Sequence, residues 1–249
     1  MMKALTLSAA LAATMLAGPA LAFDPAAMTD AERAAFRDEI RDYLLENPEV
    51  LMEAIAVLEE RRQGDQFATD AQLVADNAKA LFEDGRSWVG GNPEGDITLV
   101  EFMDYRCGYC KKAFPEVDDL LRADGKIRFI VKEFPILGPQ SVLASRFAIA
   151  VRNHAGAEAY EEVHNELMTF RADITDESLR ALSDRMGLET GVIMAGMDAP
   201  GVDAELDDNR ALAQILQING TPGFVFGDQL VRGYVPLDTM QEIVASLRE

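Results

Sequence analysis

The sequence predicts an α/β fold in which a strand–helix–strand unit and a later β-hairpin are separated by an all-helical insertion and preceded by a helical extension. Three observations carry this. Ile97-Thr98-Leu99-Val100-Glu101-Phe102-Met103 and Ile127-Arg128-Phe129-Ile130-Val131 are strand-length runs on either side of a helix-length segment. Strands joined in that way pair in parallel with a right-handed crossover. From Gly138 to about Ile218 only helical spacing occurs, and then Gly223-Phe224-Val225-Phe226, a Gly227-Asp228 turn and Gln229-Leu230-Val231-Arg232 read as a hairpin.

Residues 1–22 read as a signal peptide: Lys3 is the positive region, Ala4 to Ala17 the apolar run, and Ala20-Leu21-Ala22 the cleavage site. The alternative is a retained anchor, but the run is short of the roughly 18 apolar residues of a span, and no later stretch approaches that length. Cleavage after Ala22 gives an exported mature chain starting at Phe23, and the alanine-rich signal points to a bacterial periplasm. Removing Lys3 leaves 22 basic against 43 acidic residues, a net of −21. That charge argues against nucleic acid and anionic membrane as partners.

Thr29 with Glu32 forms a capping box that opens a helix carrying Phe36, Ile40, Tyr43 and Leu44. Asn47-Pro48 starts a second helix, to about Gln63, with Leu51, Ala54, Ile55 and Leu58 on one face and a stop at Gly64-Asp65. A third helical stretch runs to Gly85. The apolar stripe of residues 23–67 must bury itself on something. Copies of the same segment, making a homo-oligomeric stalk, compete with a fold back onto the rest of the chain. Ser87-Trp88-Val89 reads as an edge strand and Cys107 to about Arg122 as a helix between the two central strands. The insertion divides into helices at Ser141–His154, Ala157–Thr169, from Asp176 to a stop at Gly187, near Glu189–Met197 and Val202–Gln217. A last helix spans Leu237–Leu247.

Cys107 and Cys110 are the only cysteines in 249 residues. An exported domain stapled by disulfides would carry four to eight, and a chain this long buries enough core to do without them. Three readings compete: a redox pair, a static disulfide whose short loop would gain little, and a metal half-site lacking further ligands nearby. The redox reading is favoured. A cysteine where a strand ends and a helix begins has its thiolate stabilised by free N–H groups and the helix dipole. Cys110, one turn on, is then the resolving thiol. Glu101 is the odd residue in an apolar strand and expensive to bury unpaired; Lys132, at a comparable depth of the next strand, is its expected partner, unless both reach solvent at a sheet edge. Pro222, between Thr221 and Gly223 just before a strand, suits a cis bond, with an ordinary turn as the alternative.

The run Leu99 to Cys110, with Cys107-Gly108-Tyr109-Cys110, resembles the active-site strand and helix of the DsbA family of thioredoxin-like proteins, and Gly220-Thr221-Pro222-Gly223 resembles the cis-proline loop of that superfamily. The resemblance covers about Ser87 to Glu249 and implies a thioredoxin fold with the helical insertion. The N-terminal helices with Leu44-Leu45-Glu46-Asn47-Pro48-Glu49-Val50 resemble the oligomerising extension of the suppressor-of-copper-sensitivity (ScsC-type) subgroup. The resemblance implies a disulfide isomerase or oxidase with Cys107 and Cys110 as the exchanging pair, Glu101 as an acid that relays protons to the buried cysteine, and Thr221 and Pro222, with Gly108 and Tyr109, against a bound substrate strand. Lys132, paired with Glu101 by its depth on the next strand, is the further catalytic group expected. Gly108-Tyr109 lacks the Pro-His of the strongly oxidising type and with Thr221 is more similar to the isomerases. Cysteine-containing exported proteins and a membrane redox partner follow as partners, with no cofactor.

The competing class is a copper-handling protein holding Cu(I) on the reduced cysteines. Met194 and Met197 could also bind Cu(I), but packing is the better expectation. Surface or capping roles are expected for His154 and His164, and solvated helix positions for Lys111 and Lys112. The organisation expected is thus a signal peptide (1–22), an oligomerisation segment (23–67), a linker helix (68–86), a thioredoxin-like domain (87–137 and 219–249) and a helical insertion (138–218).

Overall fold

The computed structural model describes residues 27–249, so the expected signal peptide lies outside the described residues. The chain divides into two compact units, one ending at Glu59 and one running from Glu60 to Glu249.

In the first unit, α1 (Asp30–Glu46) opens on the expected capping box: Thr29 Oγ1 accepts from Glu32 N, and Glu32 Oε2 accepts from Thr29 N at 2.9 Å. At its end Asn47 Nδ2 donates to Tyr43 O. The next helix, α2 (Glu49–Asp76), begins in this unit. No residue of α1 is buried, and Leu51, Ile55 and Leu58 of α2 each keep nearly half of their surface exposed. The stop expected at Gly64-Asp65 does not occur, because α2 runs through it. A glycine inside a helix costs only about 1 kcal/mol relative to alanine, less than the flanking helix formers supply.

The second unit is built on a five-stranded sheet. After α3 (Ala78–Phe82) come β1 (Trp88–Gly91), β2 (Ile97–Met103), α4 (Gly108–Asp124) and β3 (Ile127–Glu133). The insertion follows as α5 (Pro139–Ala155), α6 (Ala157–Thr169), α7 (Asp176–Arg185), α8 (Thr190–Gly196) and α9 (Pro200–Ile215), and then β4 (Gly223–Phe226), β5 (Gln229–Arg232) and α10 (Leu237–Ser246). The strand order is β1-β3-β2-β4-β5, with β2 and β3 parallel and the other neighbours antiparallel. Helices cover both faces, so β2, apart from Thr98 and Glu101, and the Phe129–Val131 centre of β3 are apolar runs, as strands buried on both sides are. Gly125, at φ +68°, ends α4 in the left-handed conformation that glycine adopts without a Cβ penalty.

Side chains alternate between the faces. Leu99, Met103, Phe129 and Val131 pack with α4, α5 and α6. Val100, Phe102 and Ile130 pack on the other face with Val74 of α2, Leu81 of α3, Leu212 of α9 and Leu216 just after it. This parity overturns the expected Glu101–Lys132 pair. The register sets Glu101 opposite Val131 and Lys132 opposite Phe102, so the two charges leave the sheet on opposite sides. Lys132 Nζ instead donates to Ala80 O at 2.7 Å and to Asp84 Oδ2 at 2.6 Å. Depth along the strand was matched, but a shift of one residue exchanges the faces.

Candidate active site

Cys107 caps α4 at its N-terminus and Cys110 lies one turn in, fully buried. Cys107 Sγ accepts from Cys110 N at 3.4 Å, and the thiol donates to Thr221 O at 3.1 Å. The Thr221–Pro222 bond is cis, and its loop faces the attacking sulfur. The turn before Cys107 is held by buried Asp104, whose Oδ1 accepts from Arg106 N at 2.7 Å and whose Oδ2 accepts from Ile136 N at 2.8 Å and Leu137 N at 3.0 Å. Gly108 and Tyr109 lie on the surface, with the Tyr109 ring 6.0 Å from that of Tyr234. Lys112 sits over the Tyr234 ring at 4.1 Å, and Lys111 donates to Phe170 O.

The two thiols are driven apart in acidity. A hydrogen bond from the Cys110 side chain lowers Cys107 to about 5 against its burial, with Thr221 and the N–H groups of Cys110 and Tyr109 adding to the effect. Cys110 is pushed far above an ordinary thiol, by its bond to Cys107 first, then by burial and the nearby Glu101. At neutral pH the Cys107 sulfur at the head of α4 is a thiolate, and Cys110, one turn further in, keeps its proton. A nucleophile paired with a protonated neighbour is what thiol exchange requires.

Glu101 is buried on the cysteine face of β2, and its Oε1 has no hydrogen-bond partner among the described residues. Burial, and then the Cys107 charge, raise its carboxyl to about 8. It lines a cleft of about 480 Å³ together with Trp88, Phe114, Phe129 and His164. His164 is not at the surface as expected: it is 4% exposed, and its ring lies 5.6 Å from that of Tyr105 and 5.7 Å from that of Phe114. Met197 is buried and Met194 packs against the same core. Among the described residues no group of three or more His, Cys, Asp or Glu could hold a metal ion.

The structure thus brings together Cys107, Cys110, Thr221, Pro222 and Glu101, leaves Gly108 and Tyr109 at the rim, and puts Lys132 behind the sheet. Sequence reasoning missed Asp104, Tyr105, Glu133 and His164. Asp104 stands next to the cysteine loop but carries no pattern of its own. Glu133 had a signal: an acid extending the β3 run by two residues, on the same face as Val131.

The model of the DSBA-like thioredoxin domain matches residues 98–245, and that of the copper resistance protein ScsC N-terminal domain matches residues 32–63. A thioredoxin-like oxidoreductase from Silicibacter pomeroyi is 40% identical, covering 68% of this chain and 96% of its own, with a TM-score of 0.64. Proteus mirabilis ScsC in a transitional conformation is 28% identical over 90% of this chain and 98% of its own, at 0.63, and Salmonella enterica Typhimurium BcfH is 28% identical over 88% and 97%, at 0.70. Among curated proteins, the Na(+)/H(+) antiporter NhaA 1 of Salinispora arenicola is 23% identical over 65% of this chain, and disulfide bond formation protein D of Bacillus subtilis is 21% identical over 62% of it and 73% of its own length. The chain spans about a quarter of the length of the antiporters it matches. The domain match runs over more than half of the chain and takes in the strand, the helix and the proline loop around the two sulfurs. On that span, the chain belongs to the DSBA-like thioredoxin domain family.

Proposed function

We propose that the protein is a thiol–disulfide oxidoreductase of the DsbA and ScsC type that isomerises or introduces disulfides in exported proteins of the periplasm. The observation that carries this is the split acidity of Cys107 and Cys110 at the head of α4, facing the carbonyl of Thr221. The Cys107 thiolate attacks a substrate disulfide, or a substrate thiolate attacks the Cys107–Cys110 bond. A mixed disulfide forms, and Cys110 resolves it after losing its proton to Glu101. Thr221 and Pro222 lie along the substrate strand, with Gly108 and Tyr109 at its edge, and a membrane protein resets the pair.

The periplasm is supported by the signal-like residues 1–22 and by likeness to a periplasmic thioredoxin-like protein from Salmonella enterica, 29% identical. A homo-oligomer through residues 23–67 is supported by the exposed stripe of Ile40, Tyr43, Leu51, Ile55 and Leu58 and by the ScsC N-terminal match. Isomerisation is supported by Gly108-Tyr109, which places no histidine beside the thiolate. Refolding of a scrambled-disulfide substrate by the full mature chain tests the reading. Isomerase activity that is lost, with a shift to monomer, on deleting residues 23–67 is expected; an unchanged mass would remove the stalk. A second reading, Cu(I) held by the two adjacent sulfurs, draws on the soft thiolate pair and on the copper-resistance description of the N-terminal match. Stoichiometric Cu(I) binding without refolding activity would favour it.

A further inference from the structure

Glu133 has no task in this exchange chemistry, yet it is a buried acid whose carboxyl is held by three side-chain hydroxyls. It ends β3 on the same face as Glu101 and is 1% exposed. Its Oε1 accepts from Tyr160 Oη at 2.6 Å and from Tyr105 Oη at 2.7 Å, and its Oε2 accepts from Ser145 Oγ at 2.7 Å. Those hydroxyls come from α6, the loop before Cys107 and α5. The other charged groups around it are Arg152 of α5, which lies over the Tyr160 ring and binds Glu205 of α9 at 2.6 and 2.9 Å, and Glu205 itself. No cation touches the Glu133 carboxyl among the described residues.

Tyr105 has one hydroxyl proton and a second neighbour, Nδ1 of His164 at 3.1 Å. Two arrangements follow from the donor and acceptor capacities of these groups. With Glu133 ionised, Tyr105 donates to the carboxylate and accepts from Nδ1–H. With Glu133 protonated, the carboxyl donates to Tyr105, which turns its own proton toward Nδ1, and the imidazole carries its proton on Nε2. The two states differ by one proton and by the direction of both hydrogen bonds, with every heavy atom in place. His164 also lines the cleft that Glu101 lines, and the Oε1 of Glu101 is buried with no hydrogen-bond partner among the described residues. That cleft, at about 480 Å³, has room for several waters of about 30 Å³ each.

The geometry points to a buried proton relay, Glu133–Tyr105–His164, that opens into the cleft lined by Glu101 and stores the proton Cys110 releases when it resolves a mixed disulfide. This rests on the exchange reading above. In the mixed disulfide Cys107 carries no charge, so the second of the two causes that hold a proton on Glu101 is gone while burial remains. Its carboxyl ionises more readily than in the dithiol form, and as carboxylate it takes the Cys110 proton. The Cys110 sulfur then attacks Cys107 Sγ. The Cys107–Cys110 bond forms, the bond to the substrate sulfur breaks, and that sulfur leaves with the electron pair as a thiolate. The proton crosses the cleft to Nε2 of His164, the Nδ1 proton passes to Tyr105, and the Tyr105 proton passes to Glu133. The reverse reaction returns it. Burial raises the Glu133 carboxyl to about 7 and lowers the His164 ring to about 4, so at neutral pH the store is part filled and the ring between is neutral.

Trp88, the single tryptophan, stacks 5.6 Å from Tyr160 and 6.4 Å from His164 and serves as the reporter. Reduced full-length mature chain is mixed with oxidised glutathione in a stopped-flow instrument, and the mixed-disulfide and resolving phases are followed from pH 5 to 9. The resolving rate of the parent is expected to rise as pH passes about 7, where the store empties. In Tyr105→Phe that rise is expected to vanish, with resolution slowed about tenfold above neutral pH, less than the roughly hundredfold low end for a directly positioned acid–base group, because Glu101 still takes the first proton. An unchanged resolving profile in folded Tyr105→Phe overturns the relay. The parent also gives a test that needs no substitution: the Glu133 carboxyl, followed by 13C NMR, should titrate near neutral pH with different midpoints in the dithiol and disulfide forms. One midpoint shared by both forms overturns the relay. A parent chain that shows no mixed-disulfide phase would instead overturn the exchange reading and the relay with it.

Discussion

The two faces of the central sheet treat charge in opposite ways. Toward α4 and α6 lie two buried acids that have no cationic partner among the described residues: Glu133 is held by three hydroxyls, and one oxygen of Glu101 has no hydrogen bond from them. Toward α2 and α3 each buried charge has its counter-charge. Lys132 meets Asp84 at 2.6 Å, and Arg232 grips Asp70 with two contacts of 2.8 Å. Acidities follow the same division. Burial raises Glu101 to about 8 and Glu133 to about 7. Asp84 is also penalised by burial, but its bonds from Lys132 and Ser87 hold it well below the usual carboxylate range, and the hydrogen bond from Arg232 lowers Asp70. Paired charges behind the sheet fix the unit, whereas acids able to exchange protons near neutral pH are kept beneath the sulfurs.

The sharpest way to break this contrast is Asp84→Asn, which leaves the Lys132 ammonium buried without its counter-charge. A loss of about 3–5 kcal/mol is expected for orphaning one member of a buried pair, read by urea unfolding at pH 7. A loss below about 1 kcal/mol would make the pair equivalent to a surface one. The acid limb follows: the folded pKa of Asp84 is depressed, so its contribution is present above the unfolded value and is lost as pH falls through the folded one.

Glu101→Gln probes the other face with the opposite sign. The raised carboxyl binds its proton more tightly folded than unfolded, so the parent loses stability as pH climbs from about 4.5 to about 8. The glutamine cannot ionise. Between pH 5 and 8.5 the stability difference should move in the variant's favour by up to about 4 kcal/mol, each pH unit separating the folded and unfolded values being worth about 1.4 kcal/mol. Parallel pH curves for parent and variant would show that Glu101 is not held protonated by burial. The smallest effect is expected from Asp70→Asn. Arg232 keeps 31% of its side chain exposed, so solvent screens the pair and about 1 kcal/mol should be lost.

Local signals were legible in the amino-acid sequence. Thr29 and Glu32 sit three apart and cap a helix, β2 has the bounds its apolar run announces, and two cysteines one turn apart at a strand–helix junction lie as their spacing requires. Failures came where distant segments decide. Gly64 reads as a stop until the flanking residues outvote it. Lys132 stands level with Glu101, but only the strand register reveals that it faces the other way. His164 has no local mark of burial. Its place follows from Trp88 and Tyr105, which are brought from 76 and 59 positions away by the sheet. Glu133, Tyr105 and Ser145 likewise belong to three elements that meet only in the folded unit.

The most direct test of the account is the pH dependence of alkylation of Cys107 by iodoacetamide in the reduced mature chain, with Cys110→Ala beside it. A midpoint near 5 is expected in the parent, moving upward by at least one pH unit when the Cys110 hydrogen bond is removed. A midpoint near the ordinary thiol value of about 8.5, the same in both proteins, would contradict the claim that the fold holds this sulfur as a poised thiolate.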